Sequence, residues 1–143
     1  TAPALDGCGL TQAVHQALRF AGLEKESVCA VCAHGTGTIS NDAMELRAFR
    51  DCFGDCARTR LPVFSIKGAI GHTLGAAGGI EIALGLKVLS QQVAPPTVGF
   101  SCPADGAQGW VSSAPVAVQG EYLLSSNSGF GGINAALVLG KGA

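Results

Sequence analysis

The chain has 143 residues and a formal net charge of −1, from 9 Lys and Arg against 10 Asp and Glu. Its length fits one domain, and its mean hydropathy of +0.37 excludes a disordered chain. The near-neutral charge excludes a simple basic nucleic-acid-binding protein. Apolar residues make up 48% of the chain and charged residues only 13%. This surplus indicates either a large core or a surface that another chain or segment covers.

The sequence predicts neither a membrane helix nor a signal peptide. The longest apolar candidate, at 74–89, is interrupted by Glu81 and Lys87, so it falls short of ~18 clean apolar residues. The first residues lack a basic segment followed by an apolar one. We therefore expect a cytoplasmic protein that does not act in a membrane.

Six cysteines raise the question of a disulfide or metal site. Cys29 and Cys32 lie in a predicted strand, where side chains three positions apart point to opposite faces and cannot share a metal ion. Cys52 and Cys56 are one helical turn apart, but no second ligand pair matches them. The expectation is six free, mostly buried thiols in a reducing compartment.

Hydrophobic periodicity predicts helices that alternate with short apolar strands. One helix, at 74–91, is rich in Gly and Ala, which suits a central helix packed closely on several faces. This order predicts an α/β protein with layered packing. The predicted elements in chain order are a loop at 1–9, a helix at 10–22, a strand at 28–33, a helix from 40 or 41 to 53, a strand at 61–66, the helix at 74–91, and strands at 111–118, 122–126 and 135–140.

Three segments carry residues suited to chemistry, at 33–38, 67–72 and 127–134. His34 ends a strand and opens the Gly-rich loop 35–38, the usual place for a site in an open α/β sheet. His72 stands just before the central helix, where a neutral imidazole that donates a hydrogen bond is favoured. Two neutral imidazoles could polarise one carbonyl and stabilise an enolate. A metal site would need a third ligand, for which Asp42 is only a loose candidate.

The order of these motifs resembles the C-terminal half of β-ketoacyl-acyl-carrier-protein synthases, the condensing enzymes of fatty acid and polyketide synthesis. The family pattern H-G-T-G-T-x-x-N-D resembles residues 34–42, and K-x-x-x-G-H-x-x-G-A-A-G resembles 67–78. The pattern N-S-F-G-F-G-G-x-N-A resembles 126–135, and the opening at 1–3 also resembles a family segment. The resemblance covers essentially residues 1–143. It implies a thiolase-like fold, as the C-terminal half of its layered αβαβα architecture.

The resemblance also implies a role for each matched residue. His34 and His72 match the histidines that bind the malonyl thioester and promote its decarboxylation, and Lys67 matches the lysine that orders the site. Its acidic partner resembles Glu81. The remaining matches are the supporting acids Asp42 and Glu45, and the gate and oxyanion loop formed by Gly129, Phe130, Gly131 and Gly132.

Two departures from the family are visible. Asn127 stands one place from the usual Asn, and Ser128 replaces the first phenylalanine of the last motif. The family's nucleophilic cysteine lies in its N-terminal half, and none of the six cysteines here has that context. We therefore expect an N-terminal half, as a continuation, an associated fragment or a partner subunit.

The reaction implied is a decarboxylative Claisen condensation that needs neither a metal nor an organic cofactor. The implied substrates are thioesters of acyl carrier protein or CoA, and the implied assembly is a homodimer or heterodimer. One alternative is a non-catalytic partner of the chain-length-factor type, although such proteins have typically lost the two histidines. Another is a CoA-dependent enzyme of the thiolase superfamily. Neither the pathway nor the acyl chain length follows from these residues.

Overall fold

A four-stranded sheet organises the chain in a computed structural model, which describes residues 5–103 and 106–142. The opening motif at 1–3 and most of the predicted N-terminal loop lie outside the described residues. The helices are α1 (Cys8–Ala21), α2 (Ile39–Phe53), α3 (Lys67–Ile70) and α4 (Ala77–Gln91). The strands are β1 (Val28–Cys32), β2 (Val63–Phe64), β3 (Val93–Ala94), β4 (Val116–Ala117), β5 (Tyr122–Gly129) and β6 (Ile133–Gly140).

The sheet has the order β2-β1-β5-β6. Strand β1 runs parallel to both neighbours, whereas β5 and β6 form an antiparallel hairpin. Val111, which belongs to none of these strands, forms an isolated parallel bridge to Val63 of β2. All five residues of β1 are buried, as expected for a central parallel strand covered on both faces.

Two hydrophobic clusters lie on opposite faces of this sheet. Helices α1 and α2 cover one face, with Leu10, Val14 and Phe49 in the cluster. Helix α4 covers the other face through Val88 and Leu89. It approaches the sheet closely at Gly85, where an added Cβ would lie 2.5 Å from the Leu139 side chain.

The outward face of α4 is apolar and exposed among the described residues. Ile80 and Leu86 are 38% and 48% exposed, and Leu74 just before the helix is 73% exposed. A Cβ added at Gly75 or Gly79 would meet nothing within 4 Å. Small residues on several faces correctly indicated close packing at Gly85, but only one side of the helix is covered within the described chain.

Several predicted boundaries differ from the structure. The strand predicted at 61–66 has only two residues, because Pro62 lacks an N–H and the Ser65 N–H turns to the Thr97 hydroxyl. The strand predicted at 111–118 is reduced to β4, since Ser112 folds back onto Ala114 and Pro115 follows. Helix α3 was not predicted, and both strands of the last hairpin are longer than expected.

The cysteine predictions were only partly correct. All six thiols are free, but only Cys29, Cys32 and Cys52 are buried. The pairing register of β1 shifts between Val28 and Ala30, which brings Cys29 into the same hydrophobic cluster as Cys32. The prediction of opposite faces was therefore wrong. Helix α2 ends at Phe53, so Cys56 lies in a separate 3₁₀ turn rather than one turn along the same helix.

No helix within the described ranges 5–103 and 106–142 is long and apolar enough to span a bilayer.

Candidate active site

The site lies where three neighbouring parallel strands end. Cys32 pairs with Phe64 of β2 and with Ser125 of β5. His34 therefore emerges beside the start of α3, which carries Lys67, and beside Asn127 on β5. Parallel strands place their carboxyl ends at one edge of a sheet, which explains why distant motifs meet here.

His34 and His72 face each other at this edge. Their ring centroids are 5.1 Å apart with an interplanar angle of 78°. His34 is buried, whereas His72 is exposed on the loop before α4. The Leu74 N–H donates to His72 Nδ1 over 3.1 Å, so a neutral His72 carries its proton on Nε2. Leu74 adopts a φ of 51° to make this contact, a strained conformation for a residue with a side chain.

A buried carboxylate holds the loop that begins at His34. Glu45 on α2 accepts the backbone N–H groups of His34 and Gly35, each over 2.7 Å. Asn41 Nδ2, one helical turn earlier, donates to the same carboxylate over 2.7 Å. Burial raises the pKa of Glu45 to about 7, against the lowering effect of these three donors. Gly35 also packs so closely on Ser65 that an added Cβ would lie 2.5 Å from its Cβ.

A buried ion pair stands behind His34. Lys67 Nζ lies 2.5 Å from Glu81 Oε1, and both side chains are at most 5% exposed. Asn127 Nδ2 donates to the other oxygen of Glu81 over 2.5 Å. The Asn127 Oδ1 atom lies 3.1 Å from His34 Nδ1. A continuous hydrogen-bonded chain therefore runs from Lys67 through Glu81 and Asn127 to His34.

Burial lowers the pKa of His34 below its ordinary value. The positive charge of Lys67 and the neighbouring His72 lower this pKa further, whereas the hydrogen bond to Asn127 and the charge of Glu81 raise it. The ring of His34 is therefore neutral near pH 7.

The gate and oxyanion loop at 129–132 is the tip of the β5–β6 hairpin. Gly129 pairs with Ile133, and the three residues between them form the turn. Gly131 and Gly132 have φ values of 83° and 80°, which favour glycine. Phe130 at the tip is 84% exposed. On the face of the hairpin opposite Asn127, the Ser128 hydroxyl donates to Asn134 Oδ1 over 2.8 Å.

An open cavity of about 870 Å³ lies against these groups. His34, His72 and Asn127 line it, together with Phe130 and apolar residues of α4 and β6. None of the six cysteines is among its lining residues in the part of the chain that the structure describes. Burial also raises the pKa of Cys32, which keeps that thiol protonated and unsuited to attack.

The structure brings most of the predicted site residues together in two tiers. His34, His72, Gly129 and Phe130 line the cavity, and Lys67, Glu45 and Glu81 stand behind it. Asp42 does not reach the histidines, and its carboxylate accepts a hydrogen bond from Asn41 instead. The remaining members of the loop, Gly131 and Gly132, form the hairpin turn.

The roles of Asn127, the Leu74 N–H and Asn41 were not predicted from the sequence. The available signal for Asn41 was its helical spacing of four residues from Glu45. For Asn127, the signal was its place in the last motif next to a strand. The Leu74 contact depends on a backbone conformation that no residue pattern indicates.

Comparisons with known proteins show which family this chain resembles. A family profile described as "Beta-ketoacyl synthase, C-terminal domain" matches residues 1–101. The chain is 36% identical over 142 residues to 3-oxoacyl-[acyl-carrier-protein] synthase 2 of Coxiella burnetii, covering 99% of this chain and 34% of that protein. It is 38% identical over 137 residues to a putative polyketide beta-ketoacyl synthase 1 of Streptomyces virginiae, covering 94% and 32%.

Solved structures show the same fold. A beta-ketoacyl synthase from Burkholderia phymatum superposes with a TM-score of 0.90 at 30% identity, covering 100% of this chain and 34% of that one. A ketosynthase in complex with its chain length factor, from Xenorhabdus doucetiae, superposes at 0.82 with 32% identity, covering 99% and 35%. These matches confirm the expected thiolase-like α/β fold.

The chain thus spans about a third of the length of the curated relatives that it matches. Its fold, the order of its motifs and the matching profile agree, and the chain belongs to the beta-ketoacyl synthase family, within the C-terminal domain of that family.

Proposed function

We propose that this chain supplies the malonyl-decarboxylating half of a condensing enzyme. The observation that carries the proposal is the pair formed by His34 and His72, 5.1 Å apart at the edge of an open cavity. In this reaction the bond between the malonyl carboxylate and its α-carbon breaks, and carbon dioxide leaves. The electron pair enters the thioester as an enolate. The α-carbon then attacks an acyl thioester, and a cysteine thiolate departs.

The two imidazoles lie on either side of the position proposed for the malonyl thioester. The Nε2–H of His72 is available to donate to the enolate oxygen, because its Nδ1 accepts from the Leu74 N–H. A preorganised donor at a developing oxyanion stabilises the transition state more than the ground state. His34 forms the opposite wall. Glu45 holds the backbone N–H of His34, and Asn127 holds the His34 ring.

Phe130 forms a gate for the acyl group in this proposal. Its side chain is at the exposed tip of the hairpin, and two glycines with positive φ follow it. Such a tip can change conformation at little cost. Its backbone N–H would donate to the oxyanion formed when the acyl thioester is attacked.

The nucleophilic cysteine belongs to an N-terminal half of the protein, and this half covers the exposed face of α4. Two observations support this part of the proposal. The chain spans about a third of its curated relatives, and apolar residues such as Ile80 and Leu86 are exposed on one side of the helix. The whole of residues 1–143 then acts as a C-terminal domain within the layered αβαβα architecture.

The thioester substrates are proposed to be carried by acyl carrier protein. The name of the Coxiella relative specifies that carrier. A second subunit of the same fold completes the assembly, by analogy with the Xenorhabdus ketosynthase and its chain length factor. The six free thiols suit a reducing compartment such as the cytosol.

The test is malonyl decarboxylation by the complete enzyme, measured as carbon dioxide release. His72→Ala should lower the rate by ~10²–10³, the usual loss when an oxyanion donor is removed. His34→Ala should also lower the rate, because it removes the opposite wall of the substrate position. His15→Ala, an exposed histidine on α1, is the matched control and should leave the rate unchanged. Near-normal decarboxylation in both site variants would contradict the proposal.

A further inference from the structure

Asn127 reaches His34 because of the register between β1 and β5. Cys32 pairs with Ser125. His34 lies two residues after Cys32, and Asn127 lies two residues after Ser125. Side chains two apart in a strand point to the same face, so Asn127 and Ser125 both line the cavity. The contact between the Asn127 amide and the His34 ring follows from this pairing.

The hydrogen-bond chain determines which way the Asn127 amide points. The Glu81 carboxylate is paired with Lys67 and can only accept, so it faces the Nδ2 group of Asn127. The Oδ1 atom of Asn127 is therefore turned to His34 Nδ1, over 3.1 Å. A carbonyl oxygen can only accept, so Nδ1 of His34 must carry the hydrogen. In the neutral ring, Nε2 then holds a lone pair.

The two histidines consequently have opposite polarity toward the cavity. His72 accepts at Nδ1 from the Leu74 N–H and offers an N–H at Nε2. His34 donates at Nδ1 and offers a lone pair at Nε2. The expectation of two equivalent neutral donors does not describe this arrangement.

We infer that Asn127 is a positioning residue that holds His34 as the hydrogen-bond acceptor of the pair. The inference deepens the proposed function and rests on it for its catalytic consequence. The Lys67–Glu81 ion pair orients Asn127, and Asn127 in turn selects the Nδ1–H form of His34. Without such a partner, a neutral imidazole is free to place its proton on either nitrogen.

The experiment reads the tautomer directly, by long-range ¹H–¹⁵N correlation spectra of the complete enzyme labelled at histidine. Wild type should show His34 protonated at Nδ1 and His72 at Nε2. Asn127→Leu removes both polar atoms at similar size and should shift the His34 population toward Nε2–H by about tenfold or more. Asn127→Asp keeps an acceptor for His34 and shares one proton with Glu81, so it should retain the Nδ1–H form.

The matched control is Asn134→Leu, which removes the other asparagine of the hairpin, on the opposite face. It should leave the His34 tautomer unchanged. In decarboxylation assays, Asn127→Leu should lower kcat by ~10- to 100-fold with little change in KM, as expected for loss of an orienting partner.

The outcomes separate this inference from the proposed function. An Nε2–H tautomer of His34 in wild type, or an unchanged tautomer in Asn127→Leu, overturns the inference whatever the activity. If Asn127→Leu does not fold, wild type and Asn127→Asp decide the question by the same spectra. A wild-type enzyme with the expected tautomers but without decarboxylation would instead contradict the proposed function.

Discussion

Glu45 and His34 are joined by a hydrogen bond from the His34 backbone N–H to the buried Glu45 carboxylate, 2.7 Å long. The same carboxylate accepts from the Gly35 N–H. A side chain on α2 therefore determines where β1 ends and where the His34 ring leaves the sheet. An acid 11 positions away in sequence acts as a backbone anchor for the site.

We predict that Glu45→Gln loosens this loop. The amide retains one accepting oxygen but turns an NH₂ group toward backbone donors, and a hydrogen bond to a charged group contributes ~1.5–3 kcal/mol. Amide hydrogen exchange at residues 33–38 should accelerate by ~10- to 100-fold. Asp51→Asn, an exposed acid on the same helix, is the control. Unchanged protection in Glu45→Gln would show that the carboxylate does not hold the loop.

The pH dependence of stability should also depend on Glu45. Burial raises its pKa to about 7 in the folded state, above the ~4.3 of an unfolded glutamate. The folded state therefore binds this proton more tightly. The stability that results is fully present below about pH 4.3 and is lost as the pH rises through about 7. Denaturant titrations at pH 5 and pH 8 should show a larger difference in wild type than in Glu45→Gln.

The Lys67–Glu81 ion pair should behave as a unit. Lys67→Met leaves a buried carboxylate without its cation, which typically costs ~3–5 kcal/mol. The double variant Lys67→Met/Glu81→Gln removes both charges, keeps an acceptor for Asn127, and should recover much of that loss. A double-mutant cycle by denaturant unfolding measures the coupling. The exposed Arg50–Asp55 pair serves as reference, where Arg50→Ala should change the stability little because solvent screens the pair. Additive losses at Lys67 and Glu81 would refute the coupling.

Phe130 should affect acyl transfer more than folding. Because its side chain is 84% exposed, Phe130→Ala removes little buried surface and should change the melting temperature only slightly. We expect slower acylation or an altered chain-length preference, measured with a series of acyl thioesters. Phe20→Ala, on α1 and 81% exposed, should change neither property. A large drop in melting temperature with unchanged selectivity would identify Phe130 as a packing residue.

The exposed face of α4 should require a covering partner. Residues 1–143 purified alone should self-associate, since monomers rarely tolerate apolar patches of more than a few hundred Å². Replacing Leu86 on this face with Lys should reduce the self-association, whereas Phe20→Lys on α1 should not. Light scattering reports the mass, and a condensation assay with malonyl and acyl thioesters should detect no product. A cooperatively folded monomer with condensing activity would contradict both the missing half and the missing nucleophile.

Local sequence determined the main elements. The apolar spacing of Leu10, Val14 and Leu18 defines the buried stripe of α1, and the continuous apolar run of β1 matches a strand buried on both faces. Gly22 and Gly54 end α1 and α2, because each adopts a positive φ. The motifs around His34, Lys67 and His72 also predicted that these residues share one site. They meet because local patterns define the strands that carry them to one edge of the sheet.

Only the tertiary structure decided which groups in the site are joined by hydrogen bonds. The register of β5 against β1 brings Asn127 to His34, and a strained backbone at Leu74 presents an N–H to His72. The packing of α2 places Glu45 where it accepts from the His34 N–H, whereas Asp42 accepts from Asn41 instead. A shift in β1 pairing likewise turns Cys29 to the face of Cys32. Strand register and hydrogen-bond direction depend on contacts between distant segments, so composition and local spacing carry no information about them.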